Sequence, residues 1–164
     1  LFGVEQPINN REGNIDGLEF AWQHFFGETG FGFQANYTLV NGDVELNPAG
    51  DINENQFALL GLSDTANVTA IYEKYGFSAR LAYNWRDTFL LNTNEGGDRS
   101  GIYTEEYSQI DLNVSYDIND QIAVSFEGIN LAGEDQRLYH RVPEQVYYVY
   151  ELAPRYQVGV RYKF

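Results

Sequence analysis

The sequence has no cysteine and no methionine among its 164 residues. Disulfides, thiolate nucleophiles and Cys-ligated metals are therefore excluded. Lacking even an initiator Met, it is expected to be a processed chain or part of a longer one. Basic residues are scarce, with ten Lys and Arg against 24 Asp and Glu and a net charge of −14. A polyanion of this kind repels phosphate backbones, which argues against any nucleic-acid partner. Long hydrophobic runs are missing as well: no stretch approaches the roughly 20 apolar residues of a membrane helix. Leu1 to Asn10 also lacks the basic region and apolar run of a signal peptide. None of this excludes a membrane barrel, whose alternating strands average to a polar score.

What the sequence does have is 13 Tyr, 11 Phe and 16 Gly, a composition of strands and turns. Seven segments alternate apolar and polar residues with a period of two, the mark of a strand with two unlike faces. They are 15–26, 30–41, 65–75, 77–89, 106–116, 121–131 and 154–164. The fourth is the clearest: Phe77, Ala79, Leu81, Tyr83 and Trp85 oppose Ser78, Arg80, Asn84 and Arg86. Ile71 breaks the pattern in the third, and the phase of the sixth slips near Gly128, which predicts a bulge there.

Three connections are very short (27–29, the Tyr75-Gly76 step and 117–120), and three are long and polar (about 42–64, 90–105 and 132–153). Short and long alternate, as the tight periplasmic turns and long outer loops of an outer-membrane barrel do. Phe25, Phe26, Phe31, Tyr72, Tyr75, Phe77 and Tyr116 flank the short turns, with Tyr162 and Phe164 expected at the same level. Rings at one height form a membrane-interface girdle. A soluble β-sandwich is the alternative. It would bury Arg80, Arg86, Arg155 and Arg161 or their acidic counterparts in a dry core, at prohibitive cost. We therefore expect an all-β, antiparallel transmembrane barrel.

The ending Pro154-Arg-Tyr-Gln-Val-Gly-Val-Arg-Tyr-Lys-Phe164 resembles the terminal strand of bacterial outer-membrane proteins, which the barrel-insertion machinery reads. Gly17-Leu-Glu-Phe, Tyr75-Gly-Phe-Ser-Ala-Arg-Leu-Ala-Tyr-Asn-Trp-Arg-Asp87 and Glu127-Gly-Ile-Asn-Leu131 resemble the C-terminal half of TonB-dependent receptors. That resemblance, from about Asn9 to Phe164, implies that residues 1–164 are the C-terminal part, about seven strands, of a barrel of about 22 strands. It further implies a Gram-negative outer membrane, lipid around the wall and a C-terminus on the periplasmic side. A plug domain outside this chain would contact an inner-membrane energy-coupling protein, and the activity would be import of a small-molecule ligand. Pro7-Ile-Asn-Asn-Arg-Glu-Gly-Asn-Ile-Asp-Gly17 and the Pro-Arg-Tyr ending resemble a branch linked to oligosaccharide uptake; siderophore or metal-chelate uptake is the rival. A self-contained structural or adhesion barrel of about eight strands, with Leu1–Asn10 supplying the extra strand, is a different class of reading.

No enzyme is expected, because neither His24 nor His140 belongs to a nucleophile motif and no Gly-x-Ser-x-Gly is present. No cofactor is implied. The acidic stretch 42–64 carries Asp43, Glu45, Asp51, Glu54 and Asp64 without EF-hand spacing, and reads as a solvated loop rather than a calcium site. The candidate ligand-binding residues are Arg99, Tyr103, Arg137, Tyr139, His140, Arg141, Tyr147 and Tyr148. Rings stack on sugar faces and Arg forks bind carboxylates or hydroxyls. Residues 147–151 read somewhat better as a strand continued above the membrane. Tyr156, Tyr162 and Phe164 are the candidate girdle and insertion residues.

Overall fold

A computed structural model describes residues 12–47, 49–51, 56–93 and 100–164. Seven antiparallel strands form one sheet: β1 (Ile15–Phe25), β2 (Phe31–Gly42), β3 (Thr65–Lys74), β4 (Phe77–Arg86), β7 (Tyr107–Asp117), β8 (Ile122–Ile129) and β11 (Arg155–Tyr162). Their order across the sheet is β1-β2-β3-β4-β7-β8-β11, so every neighbour in space is the next long strand in sequence. This up-and-down sheet does not close among the described residues, and β1 and β11 are its free edges.

Cross-strand register sorts the residues into two faces. One row runs Ala70, Leu81, Leu112, Gly128 and Tyr156 over β3, β4, β7, β8 and β11; the next contains Tyr72, Ala79, Val114, Phe126 and Val158. The opposite face pairs Asn67 with Asn84, Ile71 with Arg80, and Asn113 with Glu127. Among the described residues no second layer covers either face. Leu18, Phe20 and Trp22 are 61%, 58% and 67% exposed, and no side chain among the described residues is fully buried. A soluble protein does not leave so large a contiguous apolar face bare to water. Lipid tails are the solvent this face requires, so the soluble sandwich is set aside.

The short connections gather at one end. Phe26 leads into a 3₁₀ turn at Gly27–Thr29, where Thr29 Oγ1 donates to the Phe26 carbonyl at 2.8 Å. Tyr75 and Gly76 join β3 to β4 with φ of 56° and 74°, the left-handed pair of a type I′ hairpin. Asn119 organises the third turn, its Oδ1 accepting from Gln121 N and Ile122 N, both at 2.9 Å. Asn or Gly is the usual first residue of a type I′ turn, and a left-handed Tyr costs about 1 kcal/mol. Tyr75 is 82% exposed, with the Lys74 ammonium 5.0 Å from its ring centre. An interfacial ring explains why the backbone cost is tolerated. Tyr75→Asn should therefore raise stability in detergent by about 0.5–1 kcal/mol and lose that gain in a bilayer. Equilibrium unfolding in both media checks this.

Two of the three long connections are not irregular. They contain a second sheet of β5 (Phe89–Asn92), β6 (Ile102–Thr104), β9 (Gln136–His140) and β10 (Val146–Tyr150), ordered β10-β9-β6-β5. Because β5 follows β4, β6 precedes β7, β9 follows β8 and β10 precedes β11, the small sheet repeats the order of the large one. The wall is thus carried past its loop end, as the strand-extension reading of 147–151 expects. Most of the buried apolar side chains lie here: Leu90, Ile102, Leu138 and Tyr139 from the small sheet and Ala58 from the 43–64 connection. Outside the membrane lipid no longer covers apolar groups, and the chain must build its own core.

The 43–64 connection supplies the cover, which corrects the solvated-loop reading. Gly61 N donates to the Leu90 carbonyl at 2.8 Å, and Leu59 and Leu62 approach Gly42 so closely that a Cβ there would collide with both. Two of its carboxylates have structural work. Asp64 Oδ1 accepts from Val40 N at 3.0 Å. Asp43 receives Asn14 N at 2.7 Å and Asn14 Nδ2 at 2.6 Å, which lowers its pKa and clamps the open end of the β1–β2 hairpin. Glu54 lies outside the described residues.

Two further expectations need correction. Register is regular through Ile129, so no bulge forms at Gly128; the break comes at Asn130, whose φ is +54°. Gly128 is small because Leu131 lies across it, 2.6 Å from where a Cβ would stand. Phe25 does not belong to the girdle face: it pairs with Gly32 on the polar face, its ring packed over that glycine in line with the buried Ile71. Tyr156 sits at the loop end of β11, with its ring 6.1 Å from Phe126, while Tyr162 and Phe164 mark the short-turn end.

Candidate ligand-binding site at the loop end

The pairing of β6 with β9 sets Tyr103 directly opposite Tyr139. Their rings stack at 5.3 Å with planes 11° apart. Both line a pocket of about 300 Å³ with Val44, Leu46, Leu59 and Leu62 of the 43–64 connection and Phe89 and Leu90 of β5. Val40 and Gly42, which share the polar-face phase of β2, reach its base. Burial pushes both phenols above their usual pKa. Glu45 adds to the effect at Tyr103, and Tyr103, Glu105 and Asp87 add to it at Tyr139. Both rings are therefore neutral hydrogen-bonding groups at any physiological pH, an apolar face joined to a polar tip.

The other candidates sort differently. Arg137 is held by Glu105, 3.2 Å away, and donates to the Pro143 carbonyl at 2.8 Å, so its fork is spent on the scaffold. The Nδ1 of His140 lies 3.0 Å from Ser100 Oγ, and its ring meets Tyr147 edge-on at 4.6 Å. Tyr148 stands opposite Leu138 on β9 and packs on Tyr150, with ring centres 4.6 Å apart. Arg141 adopts φ +54° in the β9–β10 connection, and its N–H donates to the Gly101 carbonyl at 3.1 Å. Arg99 lies outside the described residues. Among the described residues, Tyr103 and Tyr139 share this pocket, and His140 and Tyr147 form a separate pair.

Sequence reasoning missed Leu59, Leu62 and Asn130. The first two close the pocket from a connection read as polar. Asn130 is buried, and its side chain makes three bonds: Nδ2 to the Glu134 and Leu152 carbonyls at 3.0 and 2.6 Å, and Oδ1 from Glu134 N at 3.0 Å. It thereby joins the start of the β8–β9 connection to the β10–β11 connection. A non-glycine residue just past a strand, in a left-handed turn that Asn tolerates, was the available signal.

A chain with an apolar outer face, a charged inner face, tight turns at one end and a folded extension at the other has the build of an outer-membrane receptor wall. The family model described as "TonB dependent receptor-like, beta-barrel" matches residues 2–131. The chain belongs to the TonB-dependent receptor β-barrel family. No curated protein and no solved structure matches it. Membership places this receptor in the Gram-negative outer membrane, in a family of energy-coupled transporters rather than enzymes.

The polar face of the receptor wall is exposed and cross-linked. Arg80 pairs with Glu73 at 3.0 Å and Arg161 with Asp117 at 3.4 Å. Asn113 Nδ2 donates to Glu127 Oε1 at 2.8 Å, and Gln109 Nε2 reaches both oxygens of Asp111 at 2.8 Å. Exposed pairs of this kind add little stability, about 0–1 kcal/mol each, but keep a lumen wet.

Proposed function

We propose that this receptor imports an uncharged, hydroxyl-rich ligand of oligosaccharide type. The ligand is captured at the loop end and then passes through the lumen when an inner-membrane coupling protein acts on a plug domain. In this reading the chain supplies the last seven strands of the barrel, with its C-terminus at the periplasmic rim. The observation that carries the ligand class is the stacked Tyr103–Tyr139 pair in the loop-end pocket. Neutral phenols beside apolar side chains suit a sugar, which offers C–H faces to rings and hydroxyls to polar tips. The net charge of −14 weighs against anionic metal chelates, whose approach a negative wall would slow.

Tyr103→Ala in the full-length receptor should weaken binding of a neutral oligosaccharide about tenfold, near 1.4 kcal/mol, while Tyr103→Phe should retain most of the affinity. Binding of labelled oligosaccharides and of ferric chelates, measured side by side, checks it. Tighter binding of the chelates, unaffected by Tyr103→Ala, would sink the assignment.

A further inference from the structure

The register of the inner wall lines up four carboxamides in one row. Asn36 on β2 faces Asn67 on β3, Asn67 faces Asn84 on β4, and Asn84 faces Gln109 on β7. Asn67 Nδ2 donates to Asn36 Oδ1 at 2.6 Å, which fixes the orientation of both amides. One row nearer the short turns, Gln23, Gln34 and Thr69 stand opposite one another. Where the two rows meet over the small Ala21, the wall has a depression of about 360 Å³, lined by Gln23, Gln34, Asn36, Asn67 and Thr69. That is within the span of small-molecule sites, roughly 300–1,000 Å³.

The row is distinguished by its neutrality. The chain carries 24 acidic and 10 basic residues, and the same face carries Glu19 and Arg86 in the row above and the Arg80–Glu73 pair below. Yet the residues lining the depression carry no charge, and among the described residues the side chains of Gln23 and Gln34 there have no protein partner. A wall that had only to stay wet could use Asp, Glu, Lys or Arg, as it does elsewhere. An ion, however, gives up its hydration at far greater cost than an amide. Carboxamides are the better choice where water must be exchanged for a ligand, since each offers two donors and an acceptor. The matching ligand is uncharged and dense in hydroxyls.

We propose that the carboxamide row is a second sugar subsite, on the lumen wall, which holds the inner end of an oligosaccharide whose outer end occupies the tyrosine pocket. This rests on the ligand class argued above. The row gives the ligand no large apolar surface and no ion pair, so it holds a sugar weakly by itself and adds to the grip of the tyrosine pocket.

The test uses the full-length receptor in lipid vesicles and a panel of reducing-end-labelled neutral glucan, xylan and chitin oligomers. Two pairs of substitutions, Asn36→Ala/Asn67→Ala and Gln23→Ala/Gln34→Ala, guard against misfolding of either, and both leave Tyr103 untouched. Each pair removes about two hydrogen bonds to the sugar and should weaken binding of the best oligomer about tenfold. Adding Tyr103→Ala should multiply the loss, because the two sites are separate. If both pairs bind as the wild type does, the wall subsite is wrong and the ligand class survives. If the wild-type receptor binds no member of the panel, both fall together. If binding is unchanged but the lumen becomes open to protease, the row is a seat for another protein surface, which also overturns the proposal.

Discussion

Leu81→Arg in the intact barrel is expected to cost about 2–4 kcal/mol of folding stability in lipid vesicles, whereas Arg80→Leu next to it should cost under about 1 kcal/mol. The two residues are adjacent in β4, yet the register places them on opposite faces. Leu81 lies between Ala70 and Leu112, and Arg80 between Ile71 and Asn113. Leu81 is 48% exposed, and nothing among the described residues covers it, so hydrocarbon is what removes it from water. An Arg at this mid-strand height must drag its charge into that hydrocarbon or deform the bilayer around it. Arg80, by contrast, is half exposed in a pair with Glu73 at 3.0 Å, a geometry worth little in a wet lumen. Its loss leaves Glu73 in water, at small cost. Equilibrium unfolding of both variants measures the difference. Equal costs, or a reversed order, would mean that the faces have been exchanged and that the wall is not a membrane wall.

That contrast was legible in the sequence because period-two alternation is a local property. Each of the seven long strands was predicted within three residues of its observed ends. The alternation of short and long connections likewise set which end is which, before any register was known. The second sheet was harder to see, for a physical reason. Strands β5 and β6 hold four and three residues, too few for a period to register, and β5 reads Phe-Leu-Leu-Asn, apolar on both sides. Their stability comes from neighbours distant in sequence. Leu59 and Leu62 cover them from a connection whose acidic residues advertised a solvated loop. The site was legible in the same partial way. Tyr103 and Tyr139 were picked for their chemistry, but their stacking depends on the β6–β9 register, which no local pattern encodes. Arg137 was picked for its fork, and the fork turned out to hold Glu105 and the Pro143 carbonyl. A charged side chain in a polar connection reads the same whether it meets a ligand or its own scaffold. Only the fold tells the two apart.

Asn130→Ala should be the most damaging substitution outside the membrane-facing rows, lowering stability by about 2–4 kcal/mol. Two effects add. The backbone of Asn130 is left-handed at φ +54°, which Asn tolerates and Ala resists by roughly 1 kcal/mol. The side chain is buried and fully engaged, so truncation leaves the Leu152 carbonyl and both backbone groups of Glu134 without this partner. Such unmade bonds cost about 1–3 kcal/mol in total once part of the loss is met by water. Asn130→Gly separates the two effects, since glycine accepts the conformation but makes none of the bonds; it should lose about 1–3 kcal/mol, roughly 1 kcal/mol less than Asn130→Ala. The damage should also be directional. Asn130 N donates to Asp111 Oδ1 at 2.9 Å, and the Leu152 bond anchors the return from β10. Its loss therefore frees the β9–β10 extension from the top of the wall. Hydrogen exchange should accelerate in residues 136–150, which include Tyr139 of the pocket, while β3 and β4 stay protected. Exchange that rises uniformly across the wall, or an Asn130→Gly variant as damaged as Asn130→Ala, would show that this side chain does not tie the extension to the barrel.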